Sequence, residues 1–399
     1  MGIVSWLITA TCAGTIVRAQ RGAISPLARP CDPDLPSVIC INQHAAVMPY
    51  PFERTAFRGL PDDLSADAFE RTIVANDESF ELTRNASFIV FDEERGLKIL
   101  GPKPTYQNMF RVRNLVHEGP VYIPSQNKII FSEFSPRFVP PLVIDLNESP
   151  PTLSNLTTDP PVYGINGGKY YQGRVYWTVS GLKQRADLPI QGSGIVTLDP
   201  TTNQVATLLN NYFGTPFNSP NDLIHTRCGD IFFTDGLYGY QQNISTRAAA
   251  LQTAVYRFRP STGAVQIVDT GLVQPNGIAL SPDEKTLYVA DSGAGYSTIY
   301  NPPGNRLPPL QYNSTSPRVV YAYDTRETAA GKILVNRRPI WLTQEFLPDG
   351  IKVARNGYLL VSAGAGYVFL LSLSLFHSPD SRSLPFPIPS SFFSPISTI

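Results

Sequence analysis

Two stretches decide the fold of this chain: Pro275-Asn276-Gly277-Ile278-Ala279-Leu280-Ser281-Pro282-Asp283, leading into Lys285-Thr286-Leu287-Tyr288-Val289-Ala290-Asp291, and Pro348-Asp349-Gly350-Ile351-Lys352-Val353. Each sets one oxygen-bearing side chain in a turn ahead of a run in which apolar residues alternate with small or polar ones, the period-two signature of paired strands. The same unit occurs in His117-Glu118-Gly119-Pro120-Val121-Tyr122, in Gly164-Ile165-Asn166-Gly167-Gly168 and in Ser219-Pro220-Asn221-Asp222-Leu223. The marked turns recur about every 50 to 70 residues, the spacing of a four-stranded propeller blade with loop insertions. Five or six blades fill the chain, and the reading is all-β.

Composition agrees. The 399 residues carry 37 prolines and 29 glycines, which suit many short strands joined by turns and disfavour long helices. With 42% hydrophobic residues the chain has material for a large core, and the repeats argue for one large domain rather than several. The formal net charge is zero and no long run of like charge appears, so neither nucleic acid nor an anionic membrane is an electrostatically favoured partner. A small neutral or mildly charged ligand fits better.

Met1 to Ala19 reads as a signal peptide, with an uncharged apolar run from Ile3 to Val17 and the small-residue pattern Val17-Arg18-Ala19; the expected localisation is secreted. Asn85, Asn155, Asn243 and Asn313 begin Asn-x-Ser/Thr sites suited to glycosylation, with a poorer one at Asn147. In an oxidising compartment Cys31 and Cys40 are close enough in sequence to form a disulfide, which leaves Cys228 as a half-buried structural thiol in a hairpin turn. Residues 20–71 read as an irregular, proline-bearing N-terminal arm, and 72–371 as the β-propeller domain. In Ser372 to Ile399 alternation disappears and prolines recur, so this atypical Ser/Pro/Phe-rich tail cannot supply a central strand and the last blade is expected to be incomplete.

Glu118, Asn221, Asn276 and Asp349 are hard oxygen donors, two carboxylates and two amides. That mixture suits calcium, which takes six to eight oxygens in irregular geometry, better than zinc, which prefers nitrogen or sulfur. Turns entering the innermost strands of a propeller converge on its axis, so one donor per blade meets the others around a single ion. Asn166 holds the equivalent place in another blade, as a further ligand or a substrate contact, and Asn166 and Asn221 are both expected to be able to orient substrate oxygens. Taken singly, each residue is better explained as a turn former; it is their recurrence at matching points that argues for a site. Asp235 and Asp291, at strand ends, read as carboxylates that fix turns, and His225 as a packed or surface residue. There is no Gly-x-Ser-x-Gly elbow, phosphate loop or dinucleotide fingerprint.

In order and spacing these residues resemble the senescence-marker-protein/gluconolactonase superfamily, and more narrowly the fungal calcium-dependent lactonohydrolases. The resemblance runs from about Ala75 to Leu371 and is carried by Asp77-Glu78-Ser79-Phe80, His117-Glu118, Ile165-Asn166-Gly167-Gly168, Asn211-Tyr212-Phe213-Gly214, Phe217-Asn218-Ser219-Pro220-Asn221-Asp222, Phe233-Thr234-Asp235-Gly236-Leu237-Tyr238-Gly239-Tyr240, Pro275-Asn276-Gly277 and Pro348-Asp349-Gly350. It implies a six-bladed β-propeller with a central calcium held by Glu118, Asn221, Asn276 and Asp349. The implied activity is hydrolysis of a sugar or secondary-metabolite lactone, with a small-molecule lactone as partner; Asp349 or a nearby carboxylate is expected to help a water attack. A calcium-stabilised propeller that binds a ligand without turnover is the alternative. A strictosidine-synthase-like condensing propeller usually lacks this donor set. The chain departs from the family where the last blade stops near Leu371 and where Ala363-Gly364-Ala365-Gly366 replaces a more polar turn.

Overall fold

The computed structural model describes residues 26–41, 51–54, 69–105, 107–112, 115–116, 118–134, 139–181, 191–245, 247–297, 310–329, 331–343, 346–363 and 367–372. The leader expected over 1–19, His117, the turn 364–366 and the tail beyond 372 lie outside these. The chain divides into two compact units, Met1–Glu53 with Thr72–Lys103, and Arg54–Arg71 with Pro104–Ile399.

The first unit carries short strands Ala28–Pro30 and Val38–Ile41, paired antiparallel, with Phe88–Val90 added parallel to the second. Cys31 and Cys40 are joined as a disulfide across the hairpin. The arm expected to be irregular therefore holds regular structure. Its apolar run Val38-Ile39-Cys40-Ile41 is buried throughout, and Val38, Cys40 and Val90 form a small core onto which Leu97 and Leu100 of the helix Glu93–Leu100 pack.

The second unit is built of successive antiparallel meanders. Sheet I holds β1 (Val121–Ile123), β2 (Lys128–Phe131), β3 (Leu142–Asp145) and β4 (Thr152–Asn155). Sheet II holds β5 (Ile165–Tyr171), β6 (Arg174–Ser180), β7 (Ser193–Leu198) and β8 (Val205–Leu209). Sheet III follows with β9 (Pro220–His225), β10 (Ile231–Asp235), β11 (Ala254–Arg259) and β12 (Ala264–Asp269). Sheet IV has β13 (Pro275–Leu280), β14 (Thr286–Asp291), β15 (Val319–Arg326) and β16 (Ile333–Leu342), and sheet V has three strands, β17 (Pro348–Val353), β18 (Tyr358–Ala363) and β19 (Tyr367–Ser372).

Strand alternation explains how the sheets stack. Along β10, Ile231 and Phe233 enter a core shared with Ile195 of sheet II, whereas Phe232 between them enters one shared with Ile278, Leu287 and Val289 of sheet IV. One strand thus feeds two cores, because successive side chains leave on opposite faces. Val121 and Ile130 meet Val175 and Trp177 in the same way between sheets I and II, and Ala290 and Val320 meet Ile351 and Val361 between IV and V. A fully buried Ile or Phe of this kind contributes about 1.5–3 kcal/mol. The first strands of adjacent sheets pack side by side, β1 on β5, β5 on β9, β9 on β13 and β13 on β17.

Candidate functional site

Asn166, Asn221, Asn276 and Asp349 are each the second residue of the first strand of a sheet, in β5, β9, β13 and β17. Pairing with the neighbouring strand slips at that point in all four, from Ile165 to Gly168, Pro220 to Leu223, Pro275 to Ile278 and Pro348 to Ile351. These four residues were expected in turns ahead of the strands; they lie inside the strands, at bulges. A bulge releases residues from the ladder and re-aims their side chains, which a turn reading of Pro-Asn-Gly does not anticipate. Glu118 alone precedes its strand, with its backbone N–H on Ser132 Oγ at 3.2 Å and its carbonyl accepting from that hydroxyl at 2.9 Å.

The next residue is glycine after Glu118, Asn166, Asn276 and Asp349, and aspartate only after Asn221. A Cβ at Gly167 would lie 2.2 Å from Asp222 Oδ1 and 2.5 Å from Asp222 Cα, and one at Gly277 would lie 2.5 Å from Asp349 O and Ile351 N. Adjacent first strands approach too closely there for a side chain. Hydroxyls tie the sheets together at the same level: Ser132 to Ile165 O at 3.0 Å, Thr178 to Asn221 O at 2.5 Å, Thr234 to Asn276 O at 2.6 Å and Ser292 to Pro348 O at 2.5 Å. Asp235 accepts from the N–H groups of Asn218 and Ser219, and Asp291 from those of Val273 and Gln274, each fixing the two residues before a Pro-Asn pair. Both carboxylates therefore act as turn anchors, and burial pushes the Asp235 carboxyl up to about 7.

The donors meet. The Glu118 carboxyl feels the Asn221 amide and the charge of Asp349, and Asp349 in turn feels Asn276 and Glu118, so these side chains share one neighbourhood. Burial pushes Glu118 well above the usual carboxylate range, and the charges of Asp349 and Asp222 push it further, against the opposing effects of Asn221 and Lys352. Burial likewise raises Asp349. Two carboxyl groups this close cannot both ionise cheaply without a positive charge beside them.

The amides are arranged alike. Asn166 Nδ2 donates to Ser180 Oγ at 2.6 Å and to Pro220 O at 3.0 Å, and Asn276 Nδ2 donates to Tyr238 Oη at 2.8 Å. In Asn166, Asn221 and Asn276 the Oδ1 atom is buried and has no hydrogen-bond partner. A buried acceptor left unmatched costs about 1–3 kcal/mol, so three in one cluster call for a ligand. Among the described residues no three His, Cys, Asp or Glu side chains form a metal-binding group, so any cation here draws on the amides.

Asp222, Lys352 and Tyr238 were not expected at the site. Asp222 stands where the other repeats have glycine; its Oδ2 accepts from Ile278 N at 3.3 Å and lies 3.4 Å from Lys352 Nζ. Aligning the repeats residue by residue flags that exchange. Tyr238 lies in the short helix α1 (Tyr238–Gln241) inserted after β10, and no repeat spacing points to it. Among the other residues singled out, Cys228 is exposed rather than half-buried, because the turn that carries it projects from the sheet. Asn243 is 5% exposed, leaving its amide no surface for a glycan, whereas Asn85, Asn147, Asn155 and Asn313 are exposed. His225 packs against Tyr171 and Tyr176, both ring centroids at 4.3 Å. No helix among the described residues is long and apolar enough to cross a membrane.

Comparison with known proteins gives one family. The SMP-30/Gluconolactonase/LRE-like region model matches residues 184–303. The lactonohydrolase oryL of Aspergillus oryzae is 40% identical over 337 residues, 84% of this chain and 76% of the relative. A second Aspergillus oryzae protein, the lactonohydrolase oryH, is 36% identical, covering 90% of this chain and 86% of its own. The solved structure of a provisionally named gluconolactonase shares the fold at 21% identity with a TM-score of 0.52, covering 69% of this chain and 81% of its own. The chain belongs to the SMP-30/gluconolactonase/LRE-like family.

Proposed function

We propose that the chain is a calcium-dependent lactone hydrolase whose ion is held by Glu118, Asn221, Asn276 and Asp349, with Asn166 as a further donor. The observation that carries the reading is the set of three buried, partnerless Oδ1 atoms beside two interacting carboxyl groups. Hard oxygens in that number and mixture fit calcium, and two carboxylates match its charge. Asn166 and Asn221, expected to orient substrate, are 1% and 2% exposed, which favours ion donation over substrate contact for both. Family membership and the names of the Aspergillus relatives support the lactone as substrate. The architecture belonging to this reading is a six-bladed propeller around the ion, to which sheets I to V contribute five blades.

A bound calcium would supply Lewis-acid polarisation of the ester carbonyl, worth several kcal/mol of charge stabilisation. Asp349 accepts a proton from the attacking water, whose oxygen bonds to the carbonyl carbon; the ring C–O bond then breaks and the ring oxygen takes up a proton, giving a hydroxy acid. Lys352, 3.4 Å from Asp222, balances the third carboxylate of the cluster.

Turnover of a sugar 1,5-lactone, pantolactone and a macrolactone, measured with calcium and with excess chelator, tests this reading. Chelator-sensitive hydrolysis is the expected result. Folded, calcium-bound protein that hydrolyses none of a broad lactone set points instead to a propeller that binds without turnover.

A further inference from the structure

Tyr238 sits outside the repeats, yet it touches a donor. Its hydroxyl oxygen accepts from Asn276 Nδ2 at 2.8 Å and donates to the carbonyl of Gln274 at 3.4 Å. A phenol has one hydrogen, and its acceptors here are the Gln274 carbonyl and the Ser292 hydroxyl, whose own hydrogen lies on Pro348 O, so towards Asn276 the oxygen can only accept. Of the two edges an asparagine amide can present, the N–H edge is therefore fixed towards Tyr238, and Oδ1 remains as the buried edge without a partner. Asn166 reaches the same end by other means, with both amide hydrogens taken by Ser180 and Pro220.

Tyr238 is itself held. Leu237 N donates to Gln274 Oε1 at 3.1 Å, and Gln274 Nε2 donates to Gln241 Oε1 at 3.1 Å, so the Gln274 side chain clamps both ends of α1. The N–H of Gln274 is in turn fixed on Asp291 at 2.9 Å. The segment that delivers Asn276 to the site is thus the same segment that docks the helix bearing Tyr238.

We infer that Tyr238 is a positioning residue that sets the Asn276 amide with its oxygen free for a hard cation, and that the Gln274 clamp on α1 serves this purpose. The inference rests on the cation reading proposed above. Partners of this kind, one step out from a metal donor, typically change metal affinity by about 10- to 100-fold when removed.

The test is calorimetric titration of calcium into full-length Tyr238→Phe, Tyr240→Phe and wild-type protein stripped of divalent ions. Tyr238→Phe keeps the ring and loses the hydroxyl; its calcium Kd is expected to rise about 10- to 100-fold, with the melting temperature in chelator unchanged and activity recovered at high calcium. Tyr240→Phe, whose hydroxyl has no part in this network, is expected to bind as wild type. A Tyr238→Phe Kd within threefold of wild type, or a rise equalled by Tyr240→Phe, overturns the inference while leaving the cation reading intact. Wild-type protein that binds no calcium overturns both. Should Tyr238→Phe fail to fold, Gln241→Met, which opens the clamp farther from the site, is decisive: a Kd raised threefold or more supports the role, and an unchanged one removes it.

Discussion

Thr178 Oγ1 donates to the backbone carbonyl of Asn221 at 2.5 Å, joining two sheets at a residue whose side-chain oxygen is buried without a partner. The same link recurs from Thr234 to Asn276, so a hydroxyl of one sheet fixes the backbone of a donor in the next. The bonds that join the sheets also fix the strands that carry the clustered side chains.

Thr178→Val, nearly isosteric, removes that donor from a buried carbonyl. We expect a loss of about 1–3 kcal/mol in urea unfolding and weaker calcium binding from a displaced Asn221. Thr197→Val, which loses only a 3.4 Å bond to Ala206 O, is expected to change neither by a comparable amount. Equal effects from the two variants would show that the inter-sheet bond has no special part.

Glycine at the position after each donor is required only where the next strand approaches. At Gly167 a Cβ would stand 2.5 Å from the Asp222 Cα, whereas at Gly350 its nearest neighbour is Ser362 Oγ at 3.6 Å. Gly167→Ala should therefore destabilise by about 1–3 kcal/mol or more, the usual result of overpacking, and Gly350→Ala by much less. Thermal melts of the two variants give the comparison, and equal melting temperatures would contradict it.

Calcium should stabilise the protein more as pH rises. Glu118 and Asp349 hold their protons above the usual carboxylate range in the folded chain. Above the unfolded value the denatured chain then binds fewer protons, so without a cation this pair contributes stability that declines as pH increases. A bound cation favours the ionised pair and reverses the trend. The difference in melting temperature between calcium and chelator is expected to widen from pH 4.5 to 7; a constant gap would exclude proton-coupled binding at these carboxyls.

His225 gives the opposite dependence. Burial, with Lys169 adding to it, lowers the imidazole from 6.5 to about 3. Between those values the unfolded chain binds a proton that the folded chain refuses, so stability falls with falling pH at up to about 1.4 kcal/mol per unit. His225→Phe should flatten this slope in urea unfolding between pH 6.5 and 4.5 while retaining the contacts with Tyr171 and Tyr176. An unchanged slope would place the titration elsewhere.

Asp349→Asn keeps the shape of the side chain and removes the base. We expect kcat to fall about 10²- to 10⁴-fold, the usual share of a positioned proton acceptor, beyond any loss that saturating calcium restores. Turnover within tenfold of wild type at saturating calcium would assign the proton to another group.

The sequence by itself determined the strands and which oxygen-bearing residues recur in the repeats. The runs from Lys285 to Asp291 and from Pro348 to Val353 are legible because strand-forming residues set beside turns act locally, and strands stand at both places. Recurrence of Glu, Asn, Asn, Asn and Asp at matching points of the repeats likewise needs no coordinates. Only the tertiary structure placed Asn166, Asn221, Asn276 and Asp349 inside bulged strands rather than in turns, since a bulge depends on pairing with a second strand that a short motif does not contain. Tyr238 and Lys352 were out of reach for the same reason. Tyr238 meets a donor 38 residues away and Lys352 a carboxylate 130 residues away, and such contacts follow from how sheets stack, which no local periodicity encodes.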